Sequence, residues 1–300
     1  MVLDGAAEKS FELVEETVFG TFPTDPTMLG IGGYPVKITN KKTVQIENFP
    51  YLKEVAGTNR SQSTKVAKVG EAYSTNIEMR PTGWDMWAYA LGGTTATPAI
   101  SDTIINLSMG NKVGAAEYEQ FSGGIVQKIE CNIEPDKAAS QTVDILSVES
   151  DGITGADYIG AGAHAAVASG TPLDAPGITS VLYDAAALST VDAKLEYIKL
   201  ACEYPITPVP DITTSWASRI GGWGRGQRNI SLELGLTLDA MTDLQTDMFD
   251  GAAHTFAFTA LSKTLSFSNI MWGGDWEQEL DPDDMIVMPL KANYVDLVFS

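Results

Sequence analysis

Five apolar residues, Ile230, Leu232, Leu234, Leu236 and Leu238, alternate with Ser231, Glu233, Gly235 and Thr237. A period of two puts the first set on one face of a strand and the second set on the other. Such a strand needs a core on one side and water or a partner on the other, which restricts what can pack around it. The alternation stops after Leu238. Met241, Leu244 and Met248 then recur at helical spacing, and Gly251 stands where a short helix would end.

The same unit recurs earlier in the chain. Tyr73, Thr75, Ile77 and Met79 share one face, with Ser74, Asn76 and Glu78 opposite. Pro81 and Thr82 then open a predicted helix, with Thr82 as N-cap and Asp85 at capping-box spacing. Trp84, Trp87 and Leu91 line its buried side, and Gly92 ends it. Met79 lies thirteen residues before Gly92, as Leu238 lies thirteen before Gly251. Further on, Ile125, Ile129, Cys131 and Ile133 are expected on one strand face, with Lys128, Glu130 and Asn132 opposite. A Pro135-Asp136 turn leads to a strand with Val143, Asp144 and Ile145; a Pro282-Asp283 turn is matched with the strand of Val295, Asp296 and Leu297. The expectation is therefore a mainly β chain of sandwich or barrel modules, each with one short helix, duplicated in tandem.

The flanking segments set the boundaries. Residues 1–35 read as an N-terminal arm, with Phe11, Leu13, Val14, Val18, Phe19 and Phe22 available to dock on a neighbour and with Pro and Gly limiting regular structure. Residues 36–150 form the first module. It starts with a strand from Val36 to Glu47 and includes a polar hairpin or loop at 57–70 carrying Arg60, Lys65 and Lys68. Residues 151–192, rich in Ala and Gly, read as a crossover, and 193–300 form the second module. A second irregular stretch at 203–228 ends in glycines around Trp223 and Arg225.

Charge excludes one class of function. The chain has 39 acidic and 19 basic residues, a formal net charge of -20. A protein that grips nucleic acid by its phosphates needs the opposite balance. Acidity is also compatible with plain solubility or with salty surroundings. Two cysteines, Cys131 and Cys202, make neither a disulfide framework nor a zinc set, and both read as buried hydrophobes. No signal peptide and no apolar run of membrane-spanning length is visible, so a soluble protein without membrane contact is expected.

Chemical motifs are sparse. The Gly221–Gly226 run lacks the Lys-Ser/Thr pair of a phosphate loop and reads as a flexible loop before a strand. His164 and His254 have no Cys, Asp or Ser at motif spacing. Asp281, Asp283 and Asp284 around Pro282 lack calcium-loop spacing and read as a solvated turn. No catalytic residues, metal site or cofactor are expected.

Over most of its length the chain resembles tail tube proteins, the major tail proteins of long-tailed double-stranded DNA viruses. The resemblance rests on the arm with Gly20-Thr21-Phe22-Pro23-Thr24 and on polar residues 57–70 leading into the Tyr73–Met79 strand and a short helix. It rests also on the paired strands with a turn from Phe121 to Val148 and on the strand that runs almost to the chain end. It implies a non-enzymatic virion protein, made in the host cytoplasm. Its rings, trimers with pseudo-sixfold symmetry or hexamers, would stack into an acidic conduit for DNA. It implies partners such as a tape measure and a tail terminator, and transient passage of DNA without specific binding. The expected lumen-facing residues are Glu78, Lys128, Glu130, Glu233 and Thr237; the expected contacts between subunits or rings are Phe11, Val18, Phe19, Phe22, Arg60 and Lys65. A β-sandwich module for carbohydrate, cell-surface or surface-layer recognition is the alternative.

Overall fold

The structure, a computed structural model, describes residues 10–24, 26–54, 60–93, 98–112, 118–154, 170–188, 193–211, 220–238, 251–273 and 287–300. The predicted helix residues Met241, Leu244 and Met248, the cluster Asp281, Pro282, Asp283 and Asp284, and His164 lie outside them. The chain is mainly β. In order it runs β1 (Ser10–Glu15), β2 (Leu29–Gly30), β3 (Gly33–Glu54), β4 (Arg60–Pro81), α1 (Asp85–Leu91), β5 (Leu107–Lys112), β6 (Tyr118–Ile133), β7 (Ser140–Ser147) and β8 (Glu149–Thr154). It continues with β9 (Ser180–Tyr183), β10 (Ala186–Ala187), β11 (Ala193–Glu203), β12 (Ile206–Pro210), β13 (Ile220–Arg225), β14 (Asn229–Leu238), β15 (His254–Ala260), β16 (Lys263–Ile270), β17 (Val287–Asn293) and β18 (Asp296–Phe299).

Seven strands form one antiparallel sheet in the order β3-β4-β7-β6-β11-β14-β17. The first half of the chain supplies four of them and the second half three. They meet where Lys128–Ile133 of β6 pairs with Ile198–Glu203 of β11. The first half of β6 leaves this sheet and joins a second layer, ordered β2-β1-β5-β6-β8. The second half builds its own layer, ordered β10-β9-β15-β16-β18. The two orders match strand for strand, with β1 in the place of β9, β5 of β15, β6 of β16 and β8 of β18. In the shared sheet β3-β4-β7 likewise matches β11-β14-β17.

Bulges match as well. β3 shifts register at Pro35/Lys37 against β4, and β11 shifts at Leu195/Tyr197 against β14. β5 shifts at Leu107/Met109, and β15 at His254/Phe256. An inserted residue bends a strand and raises its twist, so repeated bulges repeat the curvature.

The core lies between the shared sheet and the outer layers. The alternating leucines are its floor: Leu232, Leu234 and Leu236 are fully buried, as are Ile77 and Val143 along the sheet. Helix α1 is packed into this core. Trp84 and Trp87 both meet Phe299 of β18 edge-on or tilted. Trp87 Nε1 donates to Gln141 Oε1 at 3.1 Å, and Trp84 Nε1 donates to the Ala260 carbonyl at 3.1 Å. A helix of the first half is thus fastened to a sheet of the second. One hydrophobic cluster runs through both halves, and Cys131 and Cys202 are buried in it.

Several expectations are corrected. Described residues 10–24 do not form a free arm. β1 pairs with β5, and Phe11 and Leu13 are buried in the chain's own core, so Phe11 is no contact residue for a neighbour. Residues after 170 are not a plain crossover, because β9 and β10 are the second half's counterparts of β1 and β2. The glycines 221, 222 and 224 lie in a strand, β13, which pairs with β12. Thr82 does not cap the helix. Its N–H and that of Gly83 are spent on the Gly32 carbonyl, the helix begins at Asp85, and no side chain caps it. Ile125 does not share a face with Ile129, because a bulge between Val126 and Lys128 rotates the strand and sends Ile125 into a separate cluster with Val148, Ile220 and Trp223. The counterpart of β7 is β17, not the Val295–Leu297 strand, which continues into β18 and matches β8.

Candidate functional site

The polar rows of the seven-stranded sheet fall in register across both halves. One row runs Lys37, Glu78, Thr142, Glu130, Ala201, Ser231, Asn293. The next runs Thr39, Asn76, Asp144, Lys128, Glu203, Asn229. A third runs Ser140, Asn132, Lys199, Glu233, Lys291. Four of the five residues expected on a lumen face, Glu78, Lys128, Glu130 and Glu233, therefore lie on one continuous surface, although they come from three strands and both halves. Alternation puts each of them on the polar side of its own strand, and the pairing of β6 with β11 joins the rows across the two halves.

Thr237 is the exception. It follows the same alternation but is buried, and its hydroxyl donates to Glu196 Oε1 at 2.8 Å. Glu196 is the extra residue of the β11 bulge, and so lies close enough to accept that bond.

Three lysine–carboxylate pairs form on this face. Lys37 Nζ lies 3.3 Å from Glu78 Oε1, Lys128 Nζ 2.7 Å from Glu130 Oε1, and Lys199 Nζ 3.0 Å from Glu233 Oε1. Asn76 Nδ2 donates to Asp144 Oδ1 at 2.7 Å. Glu233 also accepts from the Tyr197 hydroxyl at 3.0 Å. Its partial burial works against ionisation, but the bonds from Lys199 and Tyr197, with the charges of Lys199 and Lys291, outweigh this and hold its carboxyl below the usual range. Tyr197 shifts the other way. Burial, then its bond to Glu233, pushes the phenol up to about 12. The bond that Lys128 donates to Glu130, working against some desolvation, holds its ammonium above the usual range. The three rows contain four lysines and five carboxylates, so the face is close to neutral in a chain of net charge -20. The chain's excess of acidic residues lies outside these rows.

The expected contact residues do not form one patch. Val18 is 61% exposed, Phe19 packs partly buried beside Ile125 and Val148, and Phe22 is half-buried. Arg60 and Lys65 lie on the distal part of β4, opposite Glu54 and Phe49 of β3. Val14 is half-buried on β1.

Two polar clusters could not be read from spacing. Glu16 Oε1 accepts from the Ser108 hydroxyl and the Gly123 N–H, both at 2.6 Å, and its Oε2 accepts the Gly20 N–H at 2.7 Å. Burial nonetheless holds its carboxyl above the usual range. It ties the segment after β1 to β5 and β6. On the other outer sheet, His254 Nδ1 lies 2.8 Å from Asp184 Oδ2, and the Thr255 N–H meets Asp184 Oδ1 at 2.7 Å. Tyr183 stacks on the His254 ring. The pair joins the turn after β9 to the start of β15, residues 70 apart in sequence. Among the described residues no group of His, Cys, Asp and Glu is placed to hold a metal ion, and no helix is long and apolar enough to cross a membrane. Neither a family model nor a curated protein matches the chain.

Proposed function

We propose that the chain is a duplicated tail tube subunit of the kind long-tailed double-stranded DNA viruses assemble, a structural virion protein and not an enzyme. The observation that carries this reading is the continuous polar face, built from two halves with the same strand order in one antiparallel sheet. A sheet of this kind has a natural way to grow. At one margin the Gly273 N–H already bonds the Lys291 carbonyl of β17. At the other, β3 pairs with β4 alone among the described residues, and such a margin is where a further strand can add. Copies related by rotation can then continue the sheet around a bore. Three copies supply six modules, and six copies are the alternative.

The lining in this reading is ion-paired, not acidic. A lysine with a carboxylate at 2.7–3.3 Å has little net field to attract phosphate, and the charges of Glu78, Glu130 and Glu233 are likewise offset. Double-stranded DNA could pass such a wall with neither strong attraction nor strong repulsion. The remaining partners would be other tail proteins at the tube's ends and within it. Electron microscopy of the purified protein tests the proposal. Stacked rings or tubes with six-module symmetry are expected; a monodisperse monomer that binds sugars would replace it with the recognition-module reading.

A further inference from the structure

In the shared sheet the two halves meet through one strand pair. Lys128–Ile133 of β6 lies against Ile198–Glu203 of β11, and the Tyr204 N–H closes the seam on the Gln127 carbonyl at 3.0 Å. Neighbouring strands of a sheet are rotated against each other by anything from about 10° to about 35°. A seam of this kind leaves the angle between the halves open. The common apolar core adds strength to the joint but no direction.

The hairpin β12–β13 starts where the seam ends. It connects β11 to β14 and so belongs to the second half, yet its side chains reach the first. Trp223 Nε1 donates to the Gly123 carbonyl at 2.7 Å, and its ring lies in a small cluster with Ile125 and Val148. Arg225 donates to the carbonyls of Ala90 and Thr103, both at 3.3 Å. Arg228, just after the hairpin, donates to the carbonyls of Leu91 at 3.3 Å and Ser101 at 2.7 Å. Buried Tyr204 holds both arginines: the Arg225 guanidinium stacks 3.8 Å from its ring centre, and Arg228 Nε donates to its hydroxyl.

These arginines do not act as surface charges. The chain has 39 acidic residues, but neither Arg225 nor Arg228 forms a salt bridge among the described residues. Four main-chain carbonyls of the first half take their donors instead. Two of these belong to the end of α1, where a helix leaves carbonyls in need of partners and carries partial negative charge. Burial holds the Arg225 guanidinium below its usual range, a cost that plain apolar packing would avoid. A planar fork with directed donors specifies an orientation, which apolar contact does not.

We propose that Trp223, Arg225 and Arg228 form a clamp that fixes the angle between the two halves, and with it the number of copies that close a ring. A rotation repeated from module to module closes a ring only at set values; otherwise the copies run on as an open helix. The clamp sets that rotation inside one copy, before any neighbour is met. The part of the inference that concerns ring number rests on the duplicated-subunit reading; the clamp itself does not.

Two spin labels read the angle in single chains. Thr39→Cys on β3 and Asn293→Cys on β17 are exposed positions at opposite margins of the shared sheet, roughly 30 Å apart from the spacing of the strands between them. The native Cys131 and Cys202 are buried and stay unlabelled. An excess of unlabelled chain removes distances between copies. With the clamp intact, pulsed electron resonance is expected to give one narrow distance. Arg225→Lys with Arg228→Lys keeps the charges and loses the fork, and Trp223→Phe keeps an aromatic ring and loses the donor.

The triple variant is expected to widen the distance distribution about twofold, as strand rotation regains its range, and to give rings of several sizes or open ribbons in electron microscopy. Leu265→Ala, in the core of the second outer layer, is the control: it should lower Tm at least as much and widen nothing. An unchanged distribution in the triple variant, or equal widening in the control, overturns the clamp. A widened distribution with rings of one size overturns its link to ring number and leaves the tube subunit standing. Wild-type chains that stay monomeric overturn the subunit reading and the ring-number part with it, and the distances then decide the clamp alone.

Discussion

Glu233 and Leu234 are neighbours in the chain and face opposite environments. Leu234 is fully buried in the sheet's floor, while Glu233 is on the polar face beside Lys199. Leu234→Asp would place a carboxylate in the core without a partner, a cost of several kcal/mol that a marginally stable fold does not survive. Glu233→Gln keeps the shape, retains an acceptor for Tyr197, and should cost about 1 kcal/mol or less because the ion pair is partly exposed. Far-UV circular dichroism and urea melts separate the two; a folded Leu234→Asp would mean that the faces are assigned the wrong way round. Asp184 makes one contribution to the pH dependence of stability. Desolvation raises its carboxyl, but the bonds from His254 and Thr255 outweigh this and hold the folded value below the usual one. A lowered folded value stabilises above the unfolded value and is lost as pH falls through the folded one. Asp184→Asn should therefore cost about 1 kcal/mol near neutrality, a figure reduced for solvent screening of the half-exposed carboxylate, with the deficit closing below about pH 4. Paired thermal melts from pH 7 to pH 3 would show the two curves converging; a constant gap would exclude the charge as its source.

Helix α1 shows how an element can be too short to stand alone and still be fixed. Seven residues are well below the length at which an isolated helix persists. Tertiary burial holds it, with every residue from Met86 to Leu91 buried. Gly92 closes it at φ 82°, and a Cβ there would stand 2.6 Å from the Thr103 carbonyl oxygen. Gly92→Ala should thus cost about 2 kcal/mol or more, from the left-handed backbone and the collision together. A shift in urea midpoint with unchanged m-value would register it. The helix, its glycine end and its tryptophan face were legible because burial imprints a period on the sequence. So were β4, β7 and β14, each core on one side and polar on the other. The cap was not legible, since Thr82 and Gly83 answer to the Gly32 carbonyl, a partner distant in sequence. β10 and the glycine-rich β13 leave little trace, because backbone pairing, not side-chain alternation, holds them in place. Bulges are equally silent, and the one before Lys128 was enough to move Ile125 from one cluster to another. The polar face could be expected residue by residue, but its continuity depends on the β6–β11 pairing, which no local pattern encodes.

At the scale of the whole molecule the question is where the charge resides and what it does when copies meet. The chain carries -20, yet the polar face is nearly balanced, so the excess lies on other surfaces. Two opposing effects decide association. Like charge repels copies over a Debye length of about 30 Å at 0.01 M salt and about 8 Å at 0.15 M. Against this, the basic residues of the β3–β4 hairpin, Lys53, Arg60, Lys65 and Lys68, can attract an acidic neighbour, but Glu47, Glu54 and Glu71 on the same hairpin cancel most of that attraction. The long-range term should win at low salt, and apolar contacts between copies are indifferent to screening. Association is therefore expected to rise at least several-fold between 0.01 M and 0.15 M sodium chloride and then level off, with sulfate carrying it further by strengthening apolar burial. Sedimentation velocity across that series reads the result directly. Assemblies that fall apart as salt rises would place the holding contacts in cross-copy ion pairs instead.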